Sequence, residues 1–283
     1  MITEEKNKTM PRTLYLVATP IGNLSDISER ALKVLTEVDF IAAEDTRNSQ
    51  RLLSYFGITK PLVSYHEHNK ASCGEKLVER ILAGESCALV TDAGTPAISD
   101  PGADLVKLCA ERGVTVSSIP GACASITALT LSALPTERFC FEGFLPVPNK
   151  ERKKKLDALL CEDRTMLFHE APHKLRTTLE DMRRAFGDDR KITLCRELTK
   201  LNEEVIRTTL GGACEIYEER EPKGEYVLVI EGTTKTASLP ETELTIEEQV
   251  AYYIESGMSK MDAIKATAKS RGIPKNDVYK LMV

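Results

Sequence analysis

The feature that most limits what this chain can fold into is a repeated order: a short apolar run, a Gly- or Pro-rich loop, then an amphipathic stretch. Leu14 to Ala18 reads as a buried strand, Phe40 to Ala43 and Cys87 to Thr91 as further strands, and Val114 to Ile119 as a strand ended by Pro120-Gly121. Helical periodicity runs over Ile27 to Leu35, Ser49 to Phe56, Glu75 to Leu82, Ala103 to Arg112 and Ala124 to Leu134. Strands alternating with helices of this length predict parallel βαβ units. The expectation is an α/β domain over residues 12–134, behind an N-terminal tail of residues 1–11.

Leu134-Pro135-Thr136 reads as a hinge into a second α/β domain, 135–232. Its expected strands are Phe139 to Phe144, Thr165 to His169, Lys191 to Arg196 and Glu225 to Glu231, with helices over Arg152 to Cys161 and His173 to Phe186. A Thr/Ser/Pro linker, 233–244, leads to a purely helical appendage, 245–283. Thr245-Ile-Glu-Glu248 has the spacing of a capping box, and Gly257 closes the helix that follows. A second helix starts at Ser259 and is closed by Gly272, and a third spans Pro274 to Met282. Two short helices around a Gly-containing turn make the appendage helix-turn-helix-like.

Composition narrows the setting. No apolar run approaches the roughly 18 residues that a membrane span needs, and Met1 to Met10 is polar, so a cytoplasmic protein is expected. The eight cysteines are scattered with no C-x-x-C pair, which suits reduced, structural thiols and no metal. A net charge of −5 argues against binding nucleic acid through the whole surface. Two basic islands, Lys150 to Asp157 and Lys260 to Val283, are either solvated faces or two places that meet a polyanion.

Neither a P-loop nor a Rossmann fingerprint is present. Instead, three Gly- and Pro-containing loops each follow an apolar strand: Thr19 to Asn23, Asp92 to Gly102 and Pro120 to Ala124. One such loop is an ordinary tight turn. Three at the carboxyl ends of one sheet are where an open α/β sheet binds ligands. His169-Glu-Ala-Pro-His173 matches the H-E-x-x-H zinc pattern, but Pro172 resists the continuous helix that chemistry requires. His66-Glu-His68 reads as a loop. Glu44-Asp45-Thr46-Arg47 ends the strand Phe40 to Ala43, either as a salt bridge to a helix or as a polar substrate site.

At these loops the sequence resembles the ribosomal RNA small subunit methyltransferase I family, within the tetrapyrrole (corrin/porphyrin) methylase superfamily. The resemblance rests on VATPIGNLSDISERAL (Val17 to Leu32), AAEDTR (Ala42 to Arg47), TDAGTPAISDPG (Thr91 to Gly102), IPGACA (Ile119 to Ala124) and FEGFLP (Phe141 to Pro146). EAPHK (Glu170 to Lys174), RELTK (Arg196 to Lys200) and GEYVLV (Gly224 to Val229) carry it into the second domain. It implies a two-domain tetrapyrrole-methylase fold, S-adenosylmethionine in the cleft, a homodimer, and 2′-O-methylation of a cytidine in the decoding region of small-subunit ribosomal RNA.

By the same resemblance Pro20, Gly22, Asp92, Gly94, Pro96, Ala97, Ile98, Cys123, Ala124 and Phe168 line the cofactor pocket. A ribose hydroxyl is a weak acid and calls for a proton acceptor. Asp45 and Glu44 are the first candidates, because they end a strand where the loops gather, followed by Glu170 and His66. Arg47, Lys174, Arg196 and Lys200 are candidates for flanking phosphates. In the appendage, Lys269, Arg271 and Lys275 are candidates for RNA contact, unless those helices serve the dimer instead. Two other functions stay open at this point: a tetrapyrrole methyltransferase and a non-catalytic ribosome-binding module.

Overall fold

The computed structural model describes residues 8–233, 245–255 and 258–282. Residues 1–7 of the expected tail, 234–244 of the expected linker and the Gly257 turn lie outside them. The described residues divide into two compact units, one ending at Gly232 and the other beginning at Thr233.

The first unit holds two five-stranded sheets. Strands β1 (Thr13–Val17), β2 (Phe40–Ala43), β3 (Leu62–Ser64), β4 (Cys87–Val90) and β5 (Thr115–Ile119) form a wholly parallel sheet in the order β3-β2-β4-β1-β5. Helices α1 (Glu29–Glu37), α2 (Thr46–Tyr55), α3 (Lys70–Leu82), α4 (Gly102–Glu111) and α5 (Ala124–Leu131) follow the strands in turn. Every residue of β2 and β4 is buried, because apolar clusters cover both faces of the sheet. Strand β3 was not anticipated: it has only three residues, none fully buried, so no apolar run marks it.

The second sheet is mixed. Strands β6 (Phe139–Phe144), β7 (Thr165–Glu170), β8 (Lys191–Arg196), β9 (Glu204–Thr209) and β10 (Tyr226–Ile230) lie in the order β6-β7-β10-β8-β9, and only β6 and β7 run parallel. Helices α6 (Asn149–Ala158), α7 (Leu175–Phe186) and α8 (Leu210–Glu219) accompany it. Sequence periodicity missed β9 and α8. Strand β9 is a half-buried edge strand rich in polar residues, and α8 contains Gly211 and Gly212, poor helix formers rescued by burial and by the Thr209 cap on the Gly212 amide.

Alternation along β7 sorts its side chains to opposite faces. Phe168 is 1% exposed and packs among Leu175, Leu179, Leu194 and Leu228. The expectation that Phe168 lines a ligand pocket is therefore corrected: its ring belongs to the hydrophobic core. Leu167 points to the other face, where it meets Cys195, Val227 and Val229 of the sheet and Ala128 and Leu129 of α5. Helix α5 thus covers the second sheet. Its last carbonyls are taken from there as well, Leu131 by the Arg207 guanidinium (2.6 and 3.0 Å) and Ser132 by the Thr193 hydroxyl (2.9 Å).

The second unit packs α9 (Ile246–Glu255), α10 (Lys260–Arg271) and α11 (Lys275–Leu281) around Val250, Ala263, Ile264, Ala268 and Val278. The capping box forms: the Thr245 hydroxyl accepts from the Glu248 amide at 3.2 Å, and the Glu248 carboxylate accepts from the Thr245 amide at 2.7 Å. Gly272 closes α10 in the left-handed conformation. No helix among the described residues is long and apolar enough to cross a membrane.

Replacing Phe168 with Ala removes a fully buried ring from the core. The unfolding free energy is expected to fall by about 3–5 kcal/mol, read from the midpoint of urea denaturation.

Candidate active site

Three loops converge beyond the carboxyl ends of β1, β4 and β5. Thr19 and Gly94 exchange backbone hydrogen bonds at 2.9 and 3.0 Å, which locks the first loop to the second. The Thr95 hydroxyl donates to the Ala122 carbonyl at 3.0 Å and ties the second loop to the third. Gly94 sits at φ +84°, and a Cβ there would press on Ile21 at 3.3 Å. Two non-glycine residues of the second loop, Ala97 and Ser99, are also left-handed, held by the Asp100 carboxylate, which accepts from the Ile98 and Gly102 amides. Across the cleft the segment after β8 repeats this device, with Glu197 and Thr199 at positive φ. Gly22 lies so close to that segment that a Cβ would collide with the Lys200 side chain.

Two cavities flank the first loop. The larger, about 390 Å³, is lined by Ile21, Ala93, Ala124, Phe144, His169, Leu198, Lys200, Tyr226 and neighbours. The smaller, about 180 Å³, is lined by Pro20, Gly22, Leu24, Asn48, Ser49, Leu52, Thr91 and Asp92. The residues expected around a single cofactor are therefore divided. Ala124 lines the larger cavity, whereas Pro20, Gly22 and Asp92 line the smaller. Pro96 is buried and Ile98 is exposed, both in the strained second loop, and Cys123 stands at the N-terminus of α5.

Sequence reasoning missed His169 as a site residue. Its Nε2 lies 3.0 Å from the Ser125 hydroxyl of α5, and its ring meets Phe141 and Phe144 edge-on. Burial pushes its pKa below the ordinary imidazole value, so it is neutral at pH 7. The signal was available, because His169 alternates with Leu167 along β7 and so shares the face that meets α5. In the same segment, Pro172–Lys174 forms a 3-10 turn rather than a continuous helix.

The candidate proton acceptors have different fates. Asp45 caps α2 through the Arg47 amide (2.8 Å) and grips the Arg47 guanidinium with both oxygens (3.1 and 2.8 Å), which holds its pKa down to about 2. A carboxylate so stabilised is a weaker base than its neighbour while it holds Arg47. Its neighbour Glu44 is pushed the other way, first by desolvation and then by the charges of Asp92 and Asp100. Glu170, 4% exposed, is committed to structure: it accepts from the Thr178 hydroxyl at 2.5 Å and from the Ala171 amide at 2.8 Å. His66 has a buried Nδ1 with no partner among the described residues.

Several expected phosphate ligands are engaged within the protein. The Arg196 guanidinium donates to the Lys223 carbonyl at 2.6 Å and pairs with Glu204. Lys200 bridges Glu197 (2.8 Å) and Glu225 (2.9 Å). Arg271 bonds the Gln249 side chain and the Thr245 carbonyl, which holds α10 to α9. Arg47 points outward beyond its pair with Asp45, Lys174 is half-buried at the end of the 3-10 turn, and Lys269 and Lys275 are exposed.

Known proteins agree with this architecture. The family described as Tetrapyrrole (Corrin/Porphyrin) Methylases matches residues 13–214. The solved uroporphyrin-III C-methyltransferase of Thermus thermophilus complexed with S-adenyl homocysteine superposes with a TM-score of 0.55 at 18% identity, covering 77% of this chain and 97% of that one. A protein of Halalkalibacterium halodurans named ribosomal RNA small subunit methyltransferase I is 47% identical, covering 95% of this chain and 94% of its own. One of the same name from Synechocystis is 44% identical, covering 95% and 96%. The chain belongs to the tetrapyrrole methylase family and, within it, to the ribosomal RNA small subunit methyltransferase I branch.

Glu44 supplies a test by pH. Its raised pKa means that the ionised carboxylate weakens the folded state above the ordinary value of 4.5, whereas below that value it is protonated folded or unfolded. Glu44→Gln is therefore expected to raise the melting temperature at pH 7 and to leave it unchanged near pH 3.5. An equal shift at both pH values would place the effect elsewhere.

Proposed function

We propose that this protein transfers a methyl group from S-adenosylmethionine to the ribose 2′-hydroxyl of a decoding-region cytidine in small-subunit ribosomal RNA, acting in the cytoplasm as a homodimer. The observation that carries the reading is the convergence of three preset loops on a cavity large enough for the cofactor, in a chain whose full-length relatives bear the name of a ribosomal RNA methyltransferase.

The larger cavity fits the cofactor. Its volume lies in the range of roughly 300–1,000 Å³ typical of small-molecule sites, and its walls are mostly apolar with a few polar groups. The Thr199 hydroxyl, next to the lining residues Leu198 and Lys200, is buried without a partner among the described residues, as an atom awaiting a ligand would be. Gly94, left-handed and bonded to Thr19, packs directly beneath Ile21, which lines this cavity, so a side chain there would push Ile21 into it. When bound, the cofactor supplies a methyl group already activated by its sulfonium. The protein's share is alignment and removal of the hydroxyl proton. Glu44 is the acceptor in this reading, since desolvation and neighbouring carboxylates make it more basic than an ordinary glutamate. Arg47, beside it, holds a phosphate, and Lys269 and Lys275 add contacts from the appendage.

Four measurements test this. Gly94→Leu is expected to weaken S-adenosylmethionine binding at least about tenfold in calorimetry, with the fold retained. Glu44→Gln is expected to lower turnover on small subunits by about 10²–10⁴-fold with cofactor affinity unchanged, and full activity would remove Glu44 as the base. Mass spectrometry of digested product should find the methyl group on ribose, and a deoxycytidine at the target should give no product. A methyl group on the base would end the ribose reading. Removing both appendage cations, Lys269→Ala with Lys275→Ala, should flatten the slope of log affinity against log salt by about 1.4–1.8, at 0.7–0.9 per phosphate contact.

A further inference from the structure

We propose that the smaller cavity docks the target base, and that Asp92 and Asn48 at its mouth read the cytosine edge. This inference rests on the functional reading above and deepens it: it reassigns Pro20, Gly22 and Asp92 from the cofactor to the acceptor nucleotide.

Size separates the two cavities. At about 180 Å³ the smaller is below the volume that encloses a molecule of cofactor size, yet it admits a single ring. Pro20, Leu24 and Leu52 give it apolar walls, which suits the faces of a flat heterocycle lifted out of its stack. Polar side chains stand at the opening. The Asn48 amide nitrogen donates to an Asp92 carboxylate oxygen at 3.1 Å, and both residues are exposed there.

The unused capacity of this pair matches one base. An ionised carboxylate only accepts, and Asp92 has a second oxygen free of Asn48; the Asn48 amide keeps a second N–H to donate. Cytosine presents an exocyclic amine donor beside a ring-nitrogen acceptor, and acidic side chains accept from that amine. Uracil reverses both groups, setting its carbonyl against the carboxylate and its ring N–H against the amide, so that each is left unpaired. The position also suits the chemistry. Asp92 is close enough for its charge to act on Glu44, and Asn48 follows Arg47 in the first turn of α2. A base held at Asp92 therefore brings its own ribose towards the proposed proton acceptor and its phosphate towards Arg47.

A purely structural pair, tying α2 to the end of β4, would behave differently on substitution. The experiment uses the full-length protein and small subunits carrying either cytidine or uridine at the methylated position. It measures kcat/KM for each, alongside calorimetric affinity for S-adenosylmethionine. The wild-type protein is expected to prefer cytidine at least about tenfold, the discrimination that one hydrogen-bonded base edge provides. Asp92→Asn replaces an obligate acceptor by an amide that can also donate to the uracil carbonyl; it is expected to reduce the preference at least about tenfold, with cofactor affinity within twofold of wild type. Asn48→Ala should also reduce it. Equal losses on cytidine and uridine would overturn the proposal in favour of the structural tie. A large loss of cofactor affinity in Asp92→Asn would overturn it by returning the cavity to the cofactor. The wild-type product tests the underlying reading separately: methylation of some other nucleoside defeats that reading, and the cytosine occupant with it.

Discussion

The cleft depends on one piece of packing, the burial of α5 against the second sheet. By sequence α5 belongs to the first, parallel half of the unit, yet Ala128 and Leu129 are buried against Leu167, Cys195, Val227 and Val229. Apolar contact of this kind is non-directional, so it fixes distance better than orientation. Polar contacts supply the orientation, as Arg207 and Thr193 take the carbonyls at the end of α5 and Ser125 meets His169 at 3.0 Å. The same helix starts at the third loop. Everything that loop touches, including Thr95 of the second loop and through it Gly94 and Thr19, is thereby registered against the second sheet.

Within that frame two adjacent carboxylates are driven apart. Asp45 gains a helix cap and a two-pronged guanidinium and becomes a very weak base. Glu44, one residue earlier at the end of β2, has no such partner among the described residues and feels the charges of Asp92 and Asp100 instead. Divergence of neighbouring acids is how a site assigns roles to chemically similar groups.

Much of the fold was legible in the sequence. Buried parallel strands announce themselves as continuous apolar runs, so β1, β2 and β4 fell within a residue of their observed limits; the edge strand β5, TVSSI with only Ile119 buried, was marked instead by the Pro120-Gly121 stop after it, and the capping box at Thr245 and the stop at Gly272 were visible as local chemistry. Strand β3, strand β9 and helix α8 were not, because edge strands are half polar and the two glycines of α8 argue against the helix that tertiary packing imposes. The site was legible in part. Its loops could be found from Gly, Pro and their placement after strands. The partners of individual side chains could not: nothing local says that Arg196 is spent on Glu204, that Glu170 is tied to Thr178, or that the ring of Phe168 faces inward.

Four non-glycine residues at the cleft, Ala97, Ser99, Glu197 and Thr199, hold left-handed backbone angles. Each such residue costs of order 1–3 kcal/mol, so these loops keep their shape only because the packing around them leaves no other choice. Selection for robustness alone would work against this. Glycine at any of these positions would relieve the strain and loosen the very segments that define where ligands sit. The cleft is thus a region in which hardiness and definition are opposed, and a search for thermostable variants would be expected to erode it first.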